Sequence, residues 1–193
     1  NISIAEEETL LSLGDSIRAG YGINKKDNWV YLMQQKFDEE GNSIKLINSS
    51  VSGDTTGGGL GRLAKNLKKF KPDFVLIELG GNDALRGYSI KLIKSNLEKM
   101  IALIKQNKSK VLLMQIRIPP NYGQKYMLAF EKIYKDLALS EEVYLMPFML
   151  EEIGINSELM QPDGIHPNKK AQSLIAKDVK KNIDKFLLIN QSN

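Results

Sequence analysis

Phe74-Val75-Leu76-Ile77-Glu78-Leu79, followed at once by Gly80-Gly81-Asn82-Asp83, decides how this chain folds. The run is apolar except for Glu78, rich in β-branched and aromatic side chains, too short for a buried helix, and stopped by a glycine pair. Those features read as a strand covered on both faces. Working outward, four similar runs appear: residues 9–13, ending at Gly14; residues 44–47, ending near Asn48; residues 111–116, ending before Pro119-Pro120; and residues 143–146, ending at Pro147. Helical stretches separate them. Leu92, Ile93, Leu97, Met100, Ile101 and Ile104 form one apolar face, as do Leu174, Ile175, Val179, Ile183, Phe186 and Leu187 near the end. Thr55 or Thr56 is placed to begin a helix, and Asn168, just after Pro167, to cap the last one. Strands alternating with helices predict an α/β chain: a five-stranded parallel sheet with flavodoxin-like layering, one domain over residues 1–193, and no internal repeat or linker.

Composition narrows the classes. With 42% hydrophobic residues in 193, the chain can bury a substantial core. Its net charge of +4 comes from scattered lysines such as Lys65, Lys68, Lys69 and Lys71, a solvated surface rather than a nucleic-acid stripe. The longest apolar runs, such as residues 145–150, are too short to cross a bilayer. There is no cysteine, hence no disulfide or thiolate metal site, and a single histidine with no clustered metal spacing argues against zinc. The chain begins at Asn1 with no basic, apolar leader, which reads as either a processed secretory protein or a shortened chain.

In open parallel sheets, ligands bind beyond the carboxyl ends of the strands. At those ends stand Gly14-Asp15-Ser16, Ser52-Gly53-Asp54 and Gly80-Gly81-Asn82-Asp83, while Asp163-Gly164-Ile165-His166-Pro167 precedes the last helix. Each alone is ordinary turn chemistry. Together they hold what acyl transfer needs: a nucleophile in Ser16, a base in the lone His166, an orienter in Asp163, and oxyanion donors in the amides of Ser16 and Gly53 and the side chain of Asn82. Asp15 is read as loop structure and Trp29 as core. The run Gly57-Gly58-Gly59-Leu60-Gly61 lacks the Gly-Lys-Ser/Thr of a phosphate loop and is set aside.

These four blocks, in this order, resemble those of the SGNH (GDSL-type) hydrolases over roughly residues 8–187. Residues 79–87 and 114–123 are similar to the bacterial branch of multifunctional acyl-CoA thioesterases, lysophospholipases and arylesterases. The resemblance implies a three-layer αβα sandwich and hydrolysis of small acyl esters and thioesters. It implies the Ser16–His166–Asp163 triad, with an oxyanion hole of Ser16, Gly53 and Asn82. It implies no metal or organic cofactor, no nucleic-acid partner, no stable membrane insertion, a monomer, and a periplasmic or secreted location. Ile118, with Pro119 and Tyr122, is the expected wall for the acyl chain, because two prolines stiffen that loop. The segment 146–150 is expected to pack its loop onto the sheet. Two positions depart from the family pattern: Ile17 replaces leucine, and Arg18 stands where a small hydroxyl residue is usual. Arg18 is expected to point to solvent. Carbohydrate O-deacetylation with the same residues, and a non-catalytic binding module, remain the alternative readings. Gly-x-Ser-x-Gly is absent, so the other large hydrolase fold is not supported.

Overall fold

A computed structural model describes residues 6–191; Asn1, on which the processing expectation rests, lies outside the described residues. Strand β1 (Glu8–Gly14) is followed by helices α1 (Ser16–Ala19) and α2 (Trp29–Glu39), then by β2 (Ile44–Asn48) and α3 (Thr56–Phe70). Next come β3 (Phe74–Glu78), α4 (Gly81–Leu85), α5 (Ile90–Gln106), β4 (Lys110–Met114), α6 (Gln124–Ser140), β5 (Tyr144–Met146) and α7 (Lys169–Gln191). The five strands pair in parallel in the order β2-β1-β3-β4-β5. Helix α2 packs with α7, whereas α3 packs with α5 and α5 with α6. Right-handed crossovers put those two sets on opposite faces, giving the expected three layers. All five residues of β3 are buried, which is why its sequence shows no alternation.

The chain leaves β1 toward β2 on one side and returns to β3 on the other. This reversal opens a crevice at the carboxyl ends of β1 and β3. Thr55 caps α3 by accepting the Gly58 N–H at 3.1 Å, so the glycine-rich run forms the first turns of a helix. Asn168 accepts the Lys170 N–H at 2.9 Å at the start of α7. Two expectations shift. Leu92 and Leu174 are about half exposed, because each lies about 100° round its helix from a buried neighbour, Ile93 or Ile175, and the apolar stripe takes only one of each pair. Residues 115 and 116 fall beyond the last residue of β4 and begin the rim loop. Trp29 is fully buried, as expected. No helix among the described residues is long and apolar enough to cross a membrane.

Candidate active site

Strand β1 delivers Ser16 to the crevice as the first residue of α1, whose cap is Asp15: its Oδ1 accepts the Ile17 N–H at 3.0 Å. The Ser16 hydroxyl lies 2.8 Å from His166 Nε2, although the two residues are 150 apart in sequence. His166 Nδ1 lies 2.6 Å from Asp163 Oδ2. The tautomer with its proton on Nδ1 satisfies both contacts, because Ser16 then donates to Nε2 and Nδ1–H donates to the carboxylate. Asp163 Oδ1 in turn accepts the N–H groups of Ile165 and His166 at 2.9 and 3.0 Å. The backbone N–H and the imidazole of His166 hold the Asp163 carboxyl down at about 2, so it is an anion at any working pH. Tyr21 lies against the imidazole, ring centroids 4.5 Å apart.

Two glutamines tie the histidine loop to the amino-terminal part of the chain. Gln161 Nε2 donates to the carbonyls of Tyr21 and Pro167 at 2.8 and 3.1 Å. Gln172, buried in α7, accepts the Trp29 N–H at 3.1 Å. Neither side chain carried a signal in sequence, because an ordinary polar residue on a helix or loop looks solvated until its partner is known.

The donors lie opposite. Gly53 takes φ +77° in the turn of residues 51–54, closed by the Asp54 N–H on the Val51 carbonyl at 3.1 Å. That conformation favours glycine. Arg62 clamps the turn, its Nε and Nη2 donating to Asp54 Oδ2 at 3.0 and 2.6 Å. Among the described residues the N–H groups of Ser16 and Gly53 meet no acceptor. The Asn82 amide is engaged: Nδ2 donates to the Asp54 carbonyl at 3.0 Å and to Asp15 Oδ2 at 3.2 Å. Asp15 therefore does more than cap its loop; it also holds the amide of Asn82. Burial pushes its carboxyl up to about 6. Asp83, fully buried beside Asn82, accepts the Thr56 N–H and hydroxyl at 2.9 and 2.5 Å, fixing α4 to the start of α3.

Arg18 does not point to solvent. It is completely buried. Ser16 faces the crevice, and Arg18, two residues on, is turned by about 200° around α1 and so faces the sheet. Its guanidinium carbon lies 4.6 Å from the centre of the Trp29 ring, and Glu78, buried on β3, is the opposing charge.

Of the expected acyl wall, Ile118 is buried, while Pro119 is exposed and Tyr122 is 39% exposed. Ile118 thus belongs to the core rather than to a free surface, and the exposed positions of the expected wall are Pro119 and Tyr122. Arg117 pairs with Glu151 and joins this loop to the segment after β5, where Met149 and Leu150 are buried. A hollow of about 670 Å³ lined by Leu67, Lys68, Lys71, Asp73 and Lys108 lies at the amino end of β3, the opposite end of the strands from Ser16. Among the described residues no group of three or more histidine, aspartate or glutamate side chains is arranged to hold a metal ion.

Residues 12–174 match the family model described as the GDSL-like lipase/acylhydrolase family. An arylesterase of Vibrio mimicus is 49% identical, the match covering 93% of this chain and 90% of that one. Thioesterase 1/protease 1/lysophospholipase L1 of Escherichia coli K12 is 44% identical over 89% of this chain and 81% of its own length. Among solved structures, the psychrotrophic esterase EstA from Pseudoalteromonas sp., inhibited by monoethylphosphonate, superposes with a TM-score of 0.92 at 42% identity, covering 93% of this chain and 98% of that one.

Proposed function

This chain belongs to the GDSL-like lipase/acylhydrolase family, and from that premise we propose that it is a serine hydrolase of acyl esters and thioesters acting through Ser16, His166 and Asp163. The observation that carries the reading is the unbroken chain of contacts from Ser16 Oγ through His166 to Asp163 beside two unengaged backbone N–H groups.

His166 Nε2 takes the Ser16 proton as Oγ attacks the carbonyl carbon of an ester or thioester. The C=O π electrons move to oxygen, which settles against the N–H groups of Ser16 and Gly53. Asn82 joins by turning one amide hydrogen from the neutral Asp54 carbonyl to the same oxygen, while the other stays on the Asp15 carboxylate. His166, now a cation stabilised by Asp163, protonates the departing alcohol or thiol. Water, deprotonated by His166, then attacks the acyl-serine and frees the acid.

The names of the relatives support aryl esters, lysophospholipids and acyl thioesters as substrates. A carbohydrate deacetylase would use the same residues, but the names of the relatives favour acyl esters and thioesters. We further propose that the chain acts as a monomer outside the cytoplasm, to be checked by sedimentation and by cell fractionation. The direct test is hydrolysis of p-nitrophenyl esters of increasing chain length by wild type, Ser16→Ala and His166→Ala. Turnover should rise beyond acetate and fall by up to about 10⁶-fold in either variant, since such residues act as a unit. A His166→Ala protein keeping a tenth of wild-type activity would sink the assignment.

A further inference from the structure

Behind the nucleophile lies a charged cluster that the chemistry above leaves unused. Arg18, Glu78 and Asp15 are all buried, at 0%, 2% and 7% exposure. They meet around Gly14, whose register partner on β3 is Glu78. A methyl group at Gly14 would lie 2.5 Å from Glu78 Oε2 and 2.7 Å from Arg18 Cδ, so only glycine lets the two side chains close over the strand end. Glu78 Oε2 accepts the Asp15 N–H at 3.4 Å. Asp15 then holds Ile17 N–H with one oxygen and Asn82 Nδ2 with the other. The three nitrogens of the Arg18 guanidinium make no hydrogen bond. An unpaired buried cation is costly, so its charge must be balanced by a carboxylate nearby.

We propose that Arg18 is a positioning residue: its buried positive charge favours the ionised form of Glu78, and through the hold of Glu78 on the Asp15 N–H it fixes the nucleophile turn and the orientation of Asn82. The proposal deepens the hydrolase reading and rests on it for its kinetic arm. Two buried carboxylates joined through one backbone N–H compete for a proton, and without Arg18 the pair holds that proton more tightly. If Glu78 takes it, the anchor on Asp15 N–H weakens. If Asp15 takes it, Asn82 loses its acceptor. Other groups facing the pair do not replace the guanidinium. Asp54 and Asp83 are acidic, Tyr134 of α6 donates its hydroxyl to the Leu79 carbonyl, and His166, whose charge acts on Asp15, is committed to Ser16 and Asp163. Burial and the Asp15 charge hold the Glu78 carboxyl well above its usual range, and the Arg18 charge is what pulls it back toward the ionised form.

The test compares wild type, Arg18→Met and the double variant Arg18→Met/Glu78→Gln. In the double variant the remaining carboxylate has no buried partner, and the glutamine carbonyl can still accept the Asp15 N–H. With p-nitrophenyl butyrate, Arg18→Met should lower kcat roughly tenfold at pH 7 with KM within about twofold, because a misaimed donor is lost mainly to the transition state. Its acid limb should move up by about one pH unit. The double variant should recover most of kcat and return the limb toward wild type. Thermal unfolding reads the same charge balance without activity: the deficit of Arg18→Met should be smaller at pH 5 than at pH 8, and Glu78→Gln should relieve it. A loss equal at every pH, or a double variant no better than the single one, would assign Arg18 to packing alone. If neither variant folds, that too overturns the proposal. A wild type without turnover but with the expected unfolding pattern would refute the hydrolase reading and leave the charge balance standing.

Discussion

Replacing Asp163 by asparagine tests the site at one atom. In the wild type Oδ1 accepts two backbone N–H groups, at 2.9 and 3.0 Å, and Oδ2 accepts Nδ1–H at 2.6 Å. Asparagine has one acceptor oxygen and one NH₂ group to fill both places. With its oxygen toward the backbone, two hydrogen bonds survive and the NH₂ donates to Nδ1. With its oxygen toward the imidazole, both backbone bonds are lost and donors face donors. At about 1 kcal/mol per bond the first arrangement wins by about 2 kcal/mol, a population ratio of about 30. It also forces the imidazole proton onto Nε2, where it points at Ser16 and no base remains. Population alone thus costs about 30-fold, and loss of the anion that stabilises the imidazolium carries the total toward about 10⁴ in kcat, as in other triads. Because His166 is the only histidine in the chain, a ¹⁵N-labelled sample gives one imidazole, and its two nitrogen shifts report the tautomer without assignment. The neutral ring should carry its proton on Nδ1 in the wild type and on Nε2 in Asp163→Asn, with folding retained. A variant within tenfold of wild type whose proton stays on Nδ1 would refute the reasoning.

Asn82→Ala should lower kcat by roughly 10²–10³ with little change in KM; a raised KM at normal kcat would make Asn82 a substrate-binding residue. Asp15 is protonated up to about 6 in the folded protein and to about 4 in the unfolded chain. The unfolded chain therefore releases its proton first, and stability falls as pH rises from about 4 to about 6, by up to about 3 kcal/mol. Asp15→Asn, which keeps the cap, should remove that fall, so its melting temperature relative to wild type should be higher at pH 7.5 than at pH 4.5; an equal difference at both would exclude Asp15 as the titrating group. Ile118→Ala should reduce kcat/KM for octanoyl esters more than for acetyl esters, with a stability cost of about 2–4 kcal/mol. Equal losses for both esters would make Ile118 a support of its loop alone.

What could be read in advance depended on how local the cause was. The strand of residues 74–79 was plain because both its faces are covered, so every residue obeys one rule. Gly14, Gly53, Gly80 and Asn168 were equally plain, since turns and caps are chosen by residues a few positions apart. Arg18 was misread because its environment is not local. The bare backbone of Gly14, the ring of Trp29 and the carboxylate of Glu78 come from three separate elements. By itself an arginine after a serine looks solvated. The same distance in sequence hid the second task of Asp15, whose bond to Asn82 spans 67 positions. Leu92 and Leu174 show a further limit: a helical stripe names its faces but not the width that a neighbouring layer will cover.

The two glutamine links between the histidine loop and the first turns of the chain also bear on when the hydrolase can first act. Ser16 leaves the ribosome early, long before the histidine loop and α7. At that stage the serine is an ordinary alcohol, because its base is not yet placed. Only when α7 emerges and Gln172 receives the Trp29 N–H does the loop before it settle and bring His166 against Ser16. A nascent or clipped chain lacking that helix, whose Ile175, Val179 and Ile183 are core, would have no placed base and be harmless to every ester around it. The last segment to be made is the one that arms the first.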